Sequence, residues 1–256
     1  MGGVRKPFLR LGGEYVLVRS LRPFLADDRV VAVVVALASD DATDPPPWLT
    51  GIDPRIGVVA GGATRAESVA RCLAALPVDL DVIAVHDAAR PLVTSEVVRR
   101  CVDVAAQGVG AVAGCPAVDT MKVVDGEAFI ESTPDRANLW HAHTPQTFPA
   151  AALRGAYSDH DPGATDDAAL VEGHGVRVRM IDDGGQNPKI THPGDLDLGE
   201  AILRSRTRGS PGGDGAEGTG RSPSSGSAGW VDGSDESDGS EWADGSGRVE
   251  SGETEP

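Results

Sequence analysis

Residues 29–38 read Arg-Val-Val-Ala-Val-Val-Val-Ala-Leu-Ala, a run of β-branched and small apolar side chains without polar alternation. A strand with one wet face alternates. A continuous run predicts a strand covered on both faces, as in a parallel sheet flanked by helices. Residues 56–60 and 82–86 are two shorter runs of the same kind, and 110–114 is a weaker fourth. A different period lies between them. Val16, Leu17, Ser20, Leu21, Phe24 and Leu25 recur at i, i+3, i+4, and Val69, Leu73 and Leu76 do the same after Thr64. Val97, Val98, Cys101, Val102 and Ala105 follow Thr94-Ser95-Glu96, a helix-cap region. Strands alternating with helices predict the α/β class, a parallel sheet with helices on both faces. Ligands in such sheets bind beyond the carboxyl ends of the strands, so the chemistry should stand just after each run.

It does. Gly61-Gly62-Ala63-Thr64-Arg65-Ala66-Glu67-Ser68 follows the second run. Its glycines let backbone approach a ligand closely, and the helix after them offers free N–H groups and a positive dipole end; Gly-Gly here is equally an ordinary turn. After the third run, Val85-His86-Asp87-Ala88-Ala89-Arg90-Pro91 sets an acid and a base three apart, which suits a metal-and-phosphate site or a structural salt bridge. After the fourth, Cys115-Pro116 leads into Asp119-Thr120-Met121-Lys122. Residues 117–148 break the alternation. Lys122-Val123-Val124 and Ala128-Phe129-Ile130 flank Asp125-Gly126, a hairpin signal, and a hairpin inserted into such a fold suggests a dimer arm. His141-x-His143 has the spacing of a metal pair but no third ligand at suitable distance in sequence. Thr165-Asp166-Asp167 caps a short helix, and 176–181 alternates like an edge strand. Beyond Asn187-Pro188-Lys189-Ile190-Thr191, a helix over 193–204 closes the domain, with Thr191 as its cap.

Composition narrows the function. The chain carries a formal charge of −16, so a nucleic-acid binder with a basic stripe is not expected. The longest apolar run, 30–38, is nine residues, and a spanning helix needs about twenty, so no membrane association is expected. The opening MGGVRKPFLR has no apolar stretch resembling a secretory signal. Three widely spaced cysteines, Cys72, Cys101 and Cys115, point to reduced thiols and a cytoplasmic location. Residues 205–256 hold 13 glycines and 11 serines with a net charge of −7, and this tail is expected to be disordered. Only three lysines occur, Lys6, Lys122 and Lys189, against twenty arginines. A lysine retained in an arginine-writing chain marks a place for a compact point charge, as at a phosphate.

Five segments in register, GGATRAESV, VHDAARP, DTMK, PDRANLWHAHTPQTF and NPKITHPGDL, resemble the 2-C-methyl-D-erythritol 4-phosphate cytidylyltransferase family over about residues 4–204. The resemblance implies a Rossmann-like nucleotidyltransferase sheet and a homodimer, each subunit reaching into its partner through a β-arm at about 117–148. It implies transfer of CMP from CTP to the methylerythritol phosphate, releasing pyrophosphate, with Mg²⁺, in non-mevalonate isoprenoid synthesis. By position, Lys6 would grip the CTP phosphates, and Gly61, Gly62 and Ser68 would hold the cytosine end. Asp87 would stand near the metal, Ala88 at the ribose, and Arg90 at the methylerythritol. Thr120, Arg136 and Thr144 would come from the partner's arm to the substrate phosphate, and Lys189 would lie between the reacting phosphates. The family opens with a strand and a glycine-rich loop that wraps the triphosphate, and Met1 falls about where that loop ends. That implies about twenty further residues upstream in the working protein. Pro7 and Pro188 also depart from the family pattern. Two other readings stay open: an acceptor such as ribitol 5-phosphate, and a truncated remnant that binds without turnover.

Overall fold

A computed structural model describes residues 6–158 and 166–209. After a short 3-10 turn at Lys6–Phe8, the elements run β1 (Arg10–Leu11), β2 (Glu14–Tyr15), α1 (Val16–Leu25), β3 (Val33–Leu37), α2 (Ser39–Thr43), α3 (Pro47–Thr50), β4 (Ile56–Ala60), α4 (Arg65–Ala75) and β5 (Val82–Val85). They continue with α5 (Ser95–Ala105), β6 (Gly110–Pro116), β7 (Val123–Val124), β8 (Ile130–Ser132), β9 (Trp140–Pro149), α6 (Ala150–Ser158), α7 (Asp167–Gly173), β10 (Val178–Asp182) and α8 (Pro193–Gly209). Each run and each helical pattern falls on an element of the expected type. The tail beyond Gly209 and Thr165 lie outside the described residues.

The helices form where polar caps meet apolar stripes. Thr64 accepts from the Glu67 N–H, which satisfies one unpaired donor of α4, and Glu67 Oε2 reaches back to the Ala63 N–H just before the cap. Thr94 accepts from Val97 and starts α5, whose Val97, Val98, Cys101 and Ala105 are buried. Asp166 caps α7. At α8 the roles are the reverse of those expected: Asp195 Oδ2 accepts from Thr191 and His192, so the carboxylate inside the helix does the capping. That helix also runs past residue 204, because Arg206 is tied to the Leu92 and Gln186 carbonyls.

The sheet differs from the expectation in two ways. It is mixed, not parallel. β6 pairs with β10 in parallel, but the return strand β9 inserts between β5 and β6 and is antiparallel to both, in the order β10-β6-β9-β5. And β3 pairs only with β4, forming a separate parallel pair. The run at 29–38 is therefore a strand only over 33–37, and of that strand only Val35 and Leu37 are buried. The reason is an open edge. The unpaired edges of β3 and β5 both line a cleft of about 360 Å³, walled by Val33, Val35, Val69, Leu73, Val82 and Ile83. At one end of it stand Arg65, Ser68, His86, Asp87 and Ala88.

β7 and β8 form the expected hairpin. Asp125 Oδ1 accepts from Glu127 and Phe129, and it is Ala128, not Gly126, that adopts the left-handed backbone. Lys122 donates to Thr133 across the arm. Val118, Phe129 and Ile130 on this arm are more than 60 % exposed.

Candidate active site

β9 carries a proline in the middle of a sheet, a position that removes a ladder donor. The sheet accommodates it with a bulge. β6 advances from Val112 to Gly114 while β9 goes from Gln146 to Ala142, so His143, Thr144 and Pro145 are released from pairing. Bulges re-aim side chains, and this one sets Thr144 against the loop after β5. The backbone N–H of Asp87 donates to Thr144 Oγ1 at 3.0 Å. Thr144 Oγ1 lies 2.9 Å from His86 Nδ1, and His86 Nε2 lies 3.1 Å from the Arg90 carbonyl. A carbonyl only accepts, so Nε2 carries the proton, Nδ1 accepts, and the Thr144 hydroxyl donates to it.

That network holds His86 neutral. Burial pushes its imidazole down to about 4. The unfolded imidazole titrates near 6.5, so between those values the unfolded chain binds the extra proton and stability falls as pH falls. We expect about 3 kcal/mol to be lost from pH 6.5 to 4. His86→Gln should flatten that part of a plot of urea midpoint against pH; an unchanged slope would remove His86 as its cause.

Asp87 is the hub of the site. Lys189 Nζ lies 2.9 Å from its Oδ2, Arg90 Nε 3.5 Å from the same atom, and Arg65 Nε 3.6 Å from Oδ1. Burial works against ionisation of this carboxyl, but Lys189 and the charges of Arg65 and Arg90 outweigh it, and its pKa is lowered. Arg65 also binds the fully buried Asp167, which Tyr157 contacts from the other side. Arg90 donates to the Asn187 carbonyl, Asn187 donates to the Thr144 carbonyl, and Ile190 N–H bonds the Ala89 carbonyl. The loops after β5 and β10 are thus tied together, with Lys189 at their junction. Ser20 of α1 donates to the Ala88 carbonyl and fixes the loop from beneath.

A second, polar cavity of about 390 Å³ opens among Leu37, Ala38, Ser39, Gly61, Gly62 and Ser68. Gly61 N–H is held by the Leu37 carbonyl and Gly62 N–H by Ser68 Oγ, so both donors are engaged within the chain. A Cβ on Gly62 would come within 2.2 Å of Glu67 Cβ. Gly62→Ala should therefore cost about 1–3 kcal/mol, read as a lower urea midpoint; wild-type stability would show that α4 yields freely.

Of the residues singled out from sequence, Asp87, Arg90, Thr144 and Lys189 come together, with Ala88 beside them. Gly61, Gly62 and Ser68 gather at the neighbouring cavity. Thr144 corrects one expectation: it is 3 % exposed in this chain's own sheet and bonded to its own Asp87, so it does not extend on an arm toward a partner. The projecting segment ends before it, since residues 144–148 are buried. Thr120 and Arg136 do lie exposed on the arm, where Arg136 donates to the Val118 carbonyl. Lys6 is exposed on the 3-10 turn and forms no ion pair among the described residues. Arg65, His86, Asp167 and Asn187 were not anticipated. Arg65, His86 and Asn187 stand inside the quoted segments, and only the fold reveals what they hold.

Comparison with known proteins identifies the family. The 2-C-methyl-D-erythritol 4-phosphate cytidylyltransferase family matches residues 1–205. A protein of that name from Symbiobacterium thermophilum is 41% identical over 212 residues, covering 81% of this chain and 88% of that protein. One from Acidobacterium capsulatum is 37% identical over 211 residues, covering 79% and 88%. The crystal structure of 2-C-methyl-D-erythritol 4-phosphate cytidylyltransferase from Thermus thermophilus superposes with a TM-score of 0.65 at 35% identity, covering 78% of this chain and 93% of the other.

Proposed function

Because this chain belongs to the 2-C-methyl-D-erythritol 4-phosphate cytidylyltransferase family, we propose that its Asp87 centre is where CMP passes from CTP to 2-C-methyl-D-erythritol 4-phosphate. The chain is a nucleotidyltransferase that releases pyrophosphate in isoprenoid biosynthesis. One observation carries the assignment of the site: three cations, Lys189, Arg90 and Arg65, converge on one carboxylate at the carboxyl ends of the strands. The reaction brings a phosphate monoester against the α-phosphorus of a triphosphate. Two such charges near 4 Å repel by about 4 kcal/mol at intermediate dielectric, and no protein atom need bond covalently to either. Positioned cations supply the catalysis.

In this reading Lys189 leaves Asp87 to bridge the two phosphates, Arg90 faces the polyol, and Ala88 lies under the ribose. Gly61, Gly62 and Ser68 border the cytosine, and Lys6 meets the outer phosphates. Mg²⁺ is ordinarily held by one or two carboxylates plus substrate phosphates. Asp87 is the carboxylate that fits, provided the nucleotide brings the remaining oxygens into this cationic centre. When bound, the ion would neutralise phosphate charge. Among the described residues no helix is long and apolar enough to cross a membrane. The free thiols of Cys72, Cys101 and Cys115 agree with a reducing, cytoplasmic setting.

The homodimer belongs to the same proposal. The exposed apolar arm is a surface in search of cover, and Thr120 and Arg136 on it would complete the partner's phosphate site. Mixing inactive Arg136→Ala with inactive Lys189→Ala should restore about a quarter of wild-type activity, since half the dimers then hold one intact site. No recovery would place both residues in one chain's site.

The cleft between β3 and β5 supports one further part of the reading. Two strand edges face it unpaired, and an extended apolar segment would join them into one sheet. Pyrophosphate release from CTP should be faster with methylerythritol phosphate than with ribitol 5-phosphate. Preference for ribitol 5-phosphate would change the acceptor. No turnover with either acceptor would favour a binding protein.

A further inference from the structure

The end of the sheet that presents Thr144 also gathers three metal-ligating side chains that the transfer reaction does not use. Cys115 is next to last in β6, His143 stands in the β9 bulge, and Asp183 follows β10. A thiol, an imidazole nitrogen and a carboxylate oxygen from these residues lie within 4.8 Å of one another. We propose that Cys115, His143 and Asp183 form a binding site for a borderline-soft divalent cation, Zn²⁺ by preference.

The donor set points to this class. Thiolate with imidazole selects zinc-like ions over Mg²⁺ or Ca²⁺, which take oxygen. Three protein ligands leave a fourth tetrahedral position open. The scaffold is also built. Asp183 is a buried carboxylate, 1 % exposed at its side chain. Its backbone N–H is fixed to the Gly114 carbonyl, and its Oδ1 accepts from Gly185 N–H at 3.0 Å, leaving Oδ2 for His143 at 2.8 Å. Such outer hydrogen bonds orient metal ligands. Gly185 has a φ of +67°, and its Cα faces Cys115 so closely that a Cβ would lie 3.5 Å from Sγ. Asp182 adds negative charge near Cys115, while Arg90 and Arg206 add positive charge near Asp183. Tetrahedral zinc, with bonds of about 2.0–2.3 Å, spans ligand pairs of about 3.3–3.7 Å. The 2.8 Å His143–Asp183 hydrogen bond must open slightly to admit the ion, and the Cys115 thiol already lies within 4.8 Å of both.

Coordination displaces the Cys115 thiol proton to solvent, with no change in oxidation state. It would clamp the ends of β6 and β10 to the bulge of β9. His143 precedes Thr144, and the charge of Asp183 acts on Arg90, which also faces Asp87, so an ion here would brace the phosphate centre.

Co²⁺ added to the full-length chain, followed by Zn²⁺ competition, tests this. One equivalent should give a thiolate-to-cobalt charge-transfer band in the near ultraviolet, release about one proton, and be displaced by Zn²⁺. Cys115→Ser should abolish the band, and His143→Asn should weaken Co²⁺ binding by at least about tenfold. Cys72→Ser and Cys101→Ser should leave the band intact. Wild-type circular dichroism in Cys115→Ser would separate loss of the ligand from loss of the fold. The proposal is overturned by a chain without a thiolate band, by a band that survives Cys115→Ser, or by binding that His143→Asn leaves unchanged.

Discussion

Lys189→Ala lowers kcat/KM for CTP-dependent pyrophosphate release by about 10²–10³-fold, the effect of deleting one preorganised charge donor from a transition state. The Lys189 side chain is 44 % exposed, and its Nζ is held by a single carboxylate at 2.9 Å. It is therefore free to exchange Asp87 for a phosphate without leaving a buried charge behind. Lys189→Arg restores only part of the loss, because a planar fork does not replace a compact charge between two tetrahedral phosphates. A steady-state assay at saturating and limiting CTP checks both variants. Wild-type kcat/KM in Lys189→Ala would take the residue out of the phosphate clamp.

Asp87→Ala acts on the fold and on the site at once. Arg90 is 12 % exposed at its side chain and, with its carboxylate partner gone, would keep an uncompensated charge in a half-dry loop. Breaking such a pair costs about 3 kcal/mol, or about 6–12 °C in Tm for a domain of this size. Released from their hub, Lys189 and Arg65 also lose position, and misplacement of about 1 Å costs about 10²-fold in rate. Differential scanning fluorimetry and the pyrophosphate assay read the two effects separately. A variant with wild-type Tm and rate would show that the three cations are held by something other than Asp87. The same carboxyl adds acid sensitivity. Its pKa is lowered in the folded chain, so the stability it contributes is present above the unfolded carboxyl's value and is lost as pH falls through the folded one.

Much of this was legible in the residues themselves. The β-branched runs located β3 to β6, and the i, i+3, i+4 stripes located α1, α4 and α5, because each pattern has to bury one face. Asp87, Arg90 and Lys189 could be singled out because they follow strands or stand where a rare lysine survives. What could not be read were features set by long-range pairing. β9 spells Trp-His-Ala-His-Thr-Pro-Gln-Thr-Phe-Pro, too polar and proline-bearing to announce a strand with neighbours on both sides. Its place between β5 and β6 makes the sheet mixed and brings Thr144 into this chain's own site. The bulge that makes room for Pro145 exists only once the partner register is set. His86 and Asn187 gain their roles through bonds to Thr144 and Arg90 across 58 and 97 residues of chain. The cluster of Cys115, His143 and Asp183 is invisible for the same reason: its members belong to or follow three different strands, and sequence spacing offered only His141 as a mate for His143.

A crystal structure of the chain with CTP and Mg²⁺ bears most directly on the central claim. The expected result is cytosine against Gly61, Gly62 and Ser68, with Lys189 Nζ moved from Asp87 to within about 2.7–3.0 Å of a triphosphate oxygen. CTP bound elsewhere, with Lys189 still paired to Asp87 and remote from every phosphate, would contradict it.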